Sequence, residues 1–169
     1  ETGVTLRATS TQDKYDIFFT SFDVEIIEPK IQLIKTVENI IGENIDEDPL
    51  DLGQVFYYSL CFKNTVNDNA QNFVITDQLP TNIIFPVNGT ITLGEDILFD
   101  NNDYGAVTVP PVFDQATNQL TFIVNNNLVE ENDSEFCIKI KVRTPIDCND
   151  VIDACANQVT NQAFIRYQG

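Results

Sequence analysis

The chain has 169 residues, 43% of them hydrophobic, with 26 acidic against 9 basic side chains and a formal net charge of −17. That length and apolar content support one packed domain rather than a disordered chain, and the charge repels nucleic acid and anionic lipid surfaces. Histidine is absent, which excludes a Ser-His-Asp triad, a Cys-His dyad and an imidazole-ligated zinc site.

Phosphate-binding Gly-rich loops are missing as well, so a hydrolase is disfavoured and no turnover of an external substrate is expected. No stretch is long enough for a membrane span and none reads as a signal peptide. The sequence therefore reads as a mature exported segment. The acidic exterior fits a soluble surface protein, or a cation binder.

Alternation of apolar and polar residues dominates. It predicts strands near 4–9, 15–27, 31–37, 54–64, 72–77, 90–93, 106–109, 119–124, 136–143 and 158–167. Between them lie turn-rich stretches such as "ENIDEDPLDLG", "NTVNDNAQ", "VNGT", "DNNDYG" and "NNNLVEENDS". Only "DCNDVIDACA" reads as helical, a single short turn ahead of the last strand, with Asp147 as its cap. Many short strands joined by polar turns predict an all-β, immunoglobulin-like sandwich. Pro29 interrupts the apolar run before it. Residues 1–28 are accordingly read as an N-terminal β segment, either an edge hairpin or the tail of a preceding repeat, and 29–169 as the domain proper.

Cysteines stand at 61, 137, 148 and 155. An even count in an exported chain reads as two disulfides, with three possible connectivities. Cys148 and Cys155 share one short polar segment, which suits a local bridge. Cys61 and Cys137 both point away from the apolar faces of their strands, Phe56/Tyr58/Leu60/Phe62 and Phe136/Ile138/Ile140/Val142, so they suit a bridge between neighbouring strands. Four free thiols in a cytosolic protein are the alternative.

In chain order, "IQLIKTV", then "LGQVFYYSLCFKNTVNDNAQNFVITDQLP", then "DCNDVIDACANQVTNQAFIRYQG" form a set that resembles the conserved-repeat domain of unknown function in bacterial surface proteins. More narrowly, it resembles the repeats of very large flavobacterial gliding-adhesin-like proteins. The likeness covers 29–169. It implies an immunoglobulin-like domain strung in tandem along an exported protein at the bacterial cell surface. Its neighbours would be other repeats of the same chain, and it would be a monomer when isolated. Its role would be that of a stalk or spacer. The alternative is a module binding a surface glycan or protein partner, in which exposed aromatics such as Tyr104 and Tyr167 would stack on sugar.

One residue violates the strand pattern. Ile31, Leu33 and Val37 share the apolar face of "IQLIKTV", and Lys35 falls on that face too. A lysine facing a core must snorkel to water, pair with a carboxylate, or be consumed chemically. Asp77 is in phase with Phe73 and Ile75, and Asn161 with Val159, Ala163 and Ile165, so an acid and a carboxamide point inward as well. Surface sandwiches of similar build join such a Lys to such an Asn as an internal isopeptide bond. Burial would yield a neutral amine nucleophile and a protonated carboxyl to polarise the amide. Three simpler assignments compete: an Asp77 turn cap, an ordinary Lys35–Asp77 ion pair, and Asn157, which shares the phase of Asn161.

Two further sets of residues stand out. Asp46, Asp48 and Asp51 in "NIDEDPLD", with Asp100 and Asp103 in "FDNNDYG", are candidate Ca2+ ligands. Pro111 occupies the position where an EF-hand would need its twelfth-residue glutamate, so that motif is rejected, and solvated acidic loops are the competing reading. Asn88 and Asn132 begin N-glycosylation sequons.

Overall fold

The computed structural model describes residues 11, 28–131, 134–147 and 159–169. The expected strands at 4–9 and 15–27, the helical turn around 148–155, Cys148, Cys155, Asn132 and Asn157 lie outside them. Eight strands lie among the described residues: β1 (Ile31–Glu38), β2 (Val55–Asn64), β3 (Gln71–Gln78), β4 (Ile97–Phe99), β5 (Val112–Asp114), β6 (Gln119–Ile123), β7 (Phe136–Arg143) and β8 (Gln162–Gln168). They form two four-stranded sheets, ordered β1-β2-β7-β4 and β5-β6-β3-β8, and every strand pairing within them is antiparallel. This is the all-β, immunoglobulin-like sandwich that the alternation predicts.

The core lies between the sheets because the inner strands β2, β3, β6 and β7 turn alternate residues inward and bury them. β2 contributes Phe56, Tyr58, Leu60 and Phe62, and β7 contributes Phe136, Ile138, Ile140 and Val142. From the opposite sheet, Phe73 and Ile75 of β3 meet Leu120 and Phe122 of β6. Phe62 and Phe73 contact edge to face across the layer, their centroids 5.0 Å apart. Among the described residues no helix is long and apolar enough to cross a membrane.

Two expected strands are corrected. Residues 90–93 form no strand; Leu93 makes only an isolated bridge with Ile97, and the strand itself is the three-residue β4, which lies against β7. Residues 106–109 contribute only the Val107–Val124 bridge, while the short β5 follows at 112–114. Three-residue strands give too little alternation to be detected, since their pairing is imposed by the longer partner.

The sandwich topology sets up the site. β1 ends one sheet and β8 ends the other, and these two edges pack against each other. The first and last described strands therefore meet across the layer gap rather than within one sheet.

Candidate functional site: a buried lysine, aspartate and asparagine between the sheets

Lys35 lies on β1 with its side chain only 14% exposed. It does not snorkel. Its Nζ lies 2.6 Å from both carboxylate oxygens of Asp77, whose side chain is fully buried. Asp77 is thus not a turn cap: it sits in β3, opposite Ala163 of β8. Asn161 lies two residues before Ala163, on the same inward face, which makes it a diagonal neighbour of Asp77. Its carboxamide lies against the Asp77 carboxylate and the Tyr58 hydroxyl, close enough to bias both. Both polar atoms of that carboxamide are nevertheless buried without an aligned hydrogen bond.

Tyr58 completes the constellation. It pairs with Val37 of β1, two pairs along from Lys35–Leu60 and so on the same face, and is 2% exposed. The Lys35 ammonium sits 4.5 Å from its ring centroid, within reach of a cation–π contact. Its hydroxyl also has no aligned partner. Buried polar atoms in folded proteins are nearly always paired, so three such atoms on two residues beside one ion pair mark a site.

Burial shifts both groups toward their neutral forms. Burial pulls the Lys35 pKa down to about 8, against the opposing pull of Asp77. Burial pushes the Asp77 carboxyl above its usual range, with Lys35 and Asn161 opposing the rise. Both shifts bring the amine–carboxylic acid pair closer in energy to the ion pair. What results is a largely buried site that brings an amine, a carboxyl and a carboxamide together.

The sequence pattern found three of these four groups. It placed Tyr58 on the core face as a packing residue. The available signal was a tyrosine in phase with Phe56 and Phe62, where a phenylalanine would pack equally well and need no partner.

A disulfide joins Cys61 to Cys137, which are register partners on the outer side of β2 and β7. Those sulfurs also approach Glu135, but being bonded to each other they are not thiolate ligands.

The acidic loop residues do not converge. Asp46 accepts from the Val37 amide at 2.6 Å and from Asn44. Asp100 accepts from the Cys137 amide at 2.7 Å, and Asp103 from the Gly105 amide at 2.9 Å. Asp48 and Asp51 are exposed. Among the described residues no three of these five carboxylates approach to metal-ligand spacing. Asn88 is exposed and donates to Glu95. Tyr167, expected to be free for stacking, is instead half-buried against Phe73. Tyr104 is 47% exposed and packs edge-on against Phe99.

No family model and no curated protein matches this chain. Among solved structures it is similar to BcpA, the major pilin subunit of Bacillus cereus, with a TM-score of 0.54 and 14% identity over 82% of this chain. An Asp-to-Ala variant of the same pilin matches with a TM-score of 0.54 and 13% identity. The matched region is 35% of the pilin chain, so this chain corresponds to about a third of that protein. At such identity the likeness establishes the shared sandwich fold.

Proposed function

We propose that this domain is a non-enzymatic, load-bearing module of a bacterial cell-surface protein, locked by a self-formed isopeptide bond between Lys35 and Asn161. The observation that carries the reading is the buried Lys35–Asp77 pair facing an unpartnered Asn161 carboxamide. The pilin-like fold, the disulfide and the sequence's resemblance to tandem surface repeats support a stalk or spacer role outside the cell.

The chemistry balances. A proton passes from Lys35 Nζ to Asp77, leaving a neutral amine and a carboxylic acid. The Nζ lone pair attacks Cγ of Asn161. As the new C–N bond forms Nζ gives up a second proton; Asp77 relays one proton to the leaving Nδ2 and retains the other, the Cγ–Nδ2 bond breaks, and ammonia departs. One C–N bond forms and one breaks, with no oxidant or cofactor. Exclusion of water protects the acyl carbon from hydrolysis, and fixed strands supply proximity. By analogy with disulfide loop closure, the bond adds about 5 kcal/mol of stability.

Intact mass, measured before and after reduction, tests this. The reduced protein is expected to lack the mass of one ammonia, and Lys35→Ala to restore it. A reduced wild-type protein at its full calculated mass would leave Lys35–Asp77 as a buried ion pair and end the proposal.

A further inference from the structure

We propose that Tyr58 is a catalytic hydrogen-bond donor for this linkage, its hydroxyl stabilising the negative charge that develops on Oδ1 of Asn161. The inference rests on the isopeptide reading and assigns the part of the reaction that Lys35 and Asp77 leave uncovered.

Addition of the amine to Cγ converts a neutral carbonyl oxygen into an oxyanion. In a water-free site that charge must be met by a donor already in place. Asp77 has both oxygens on Nζ and is engaged in moving the proton from the amine to the leaving nitrogen. Tyr58 projects into the same gap from β2. Its ring lies under Nζ, and its hydroxyl adjoins the Asn161 carboxamide without an aligned partner. A donor in that state is paired fully only when the carboxamide changes geometry, which is what an oxyanion site requires. Burial and the adjacent Asp77 carboxylate raise the phenol pKa, so the hydroxyl keeps its proton.

Packing does not account for the oxygen. Phe56 and Phe62 occupy the equivalent inward positions on the same strand, both fully buried. A phenylalanine at 58 would fill the space without leaving a desolvated hydroxyl, which costs stability when unpaired.

Tyr58→Phe keeps the ring, its packing and its contact with Nζ, and removes only the donor. Wild type, Lys35→Ala and Tyr58→Phe are made by cell-free translation, quenched in acid at intervals, reduced and weighed intact. Wild type should lose ammonia with time, Lys35→Ala should not, and Tyr58→Phe should do so about a hundredfold more slowly. Folding is checked by comparing the melting of Lys35→Ala with that of Lys35→Ala/Tyr58→Phe, where no linkage forms in either. If that pair differs, a ring-fluorinated tyrosine at position 58 decides: it keeps the shape, makes the phenol a stronger donor and should change the rate severalfold. Wild-type rates in Tyr58→Phe, or in the fluorinated protein when the pair melts differently, would overturn the role of Tyr58 and leave the isopeptide standing. Absence of ammonia loss in wild type would overturn both.

Discussion

At the scale of single residues, Asp77 neutralises Lys35, and in the proposed reaction it has a second, separable duty, relaying the proton. Asn161→Ala removes the linkage but keeps the ion pair. Asp77→Ala removes both and strands a buried amine. We expect neither variant to lose ammonia, and Asp77→Ala to unfold with about 3 kcal/mol less stability than Asn161→Ala, the cost of leaving one buried partner unpaired. Denaturant titration of the two proteins measures the difference.

The lysine also makes a pH prediction in Asn161→Ala, where it stays free. Its pKa is about 8 folded against 10.5 unfolded. Between those values the unfolded chain binds a proton that the folded chain does not, so the lysine's contribution rises with pH across that window and levels off above it, while Tyr58, its phenol pKa raised by burial above the ordinary 10, contributes a fall that sets in near pH 10. Asp77, with its raised folded pKa, acts oppositely, its contribution falling as pH rises from 3.8 through the folded value. In the linked protein Lys35 carries an amide instead of an amine, and the alkaline rise should vanish. Denaturation midpoints across the alkaline range distinguish the two.

At the scale of elements, legibility followed strand length. β2 and β7 span ten and eight residues, long enough for alternation to define the buried face, and Cys61 and Cys137 fell on the opposite face as read. β4 and β5, at three residues each, depend on partners that no local pattern reveals. The same pairing explains the disulfide. Only the β2–β7 register sets Cys61 opposite Cys137, although they are 76 residues apart in sequence. Replacing both cysteines with alanine should lower stability by about 2–4 kcal/mol, read from chemical denaturation. In the core, Phe62 contacts Phe73 from the other sheet and Phe136 from its own. Phe62→Ala should cost about 3–5 kcal/mol in the same assay.

At the scale of the whole molecule, the two cross-links are nested. The disulfide ties two strands within one sheet, whereas the proposed Lys35–Asn161 bond ties the edge strand of one sheet to the edge of the other. Tension entering ahead of β1 and leaving after β8 would cross at that bond, and the residues between 35 and 161 would carry none of it. Single-molecule pulling should therefore find the linked domain nearly inextensible. Oxidised Lys35→Ala should lengthen by roughly 170 Å more, since only the chain from 61 to 137 stays sheltered. Reduction should then release that segment too. Equal extension of linked and Lys35→Ala protein would argue against a load-bearing role.

The alternating pattern by itself determined the all-β architecture, the core faces of the long strands and the inward direction of Lys35, Asp77 and Asn161, because side-chain direction in a strand follows a local period of two. It determined the strand candidacy of 31–37 and of 136–143 for the same reason. Which inward residues meet was decided only by tertiary structure. Lys35 and Asp77 come from different sheets, and Tyr58 reaches them from a third strand, so their contact depends on sheet order and register. The buried, unpartnered state of the Asn161 and Tyr58 polar atoms likewise exists only once both sheets have closed over them and excluded water.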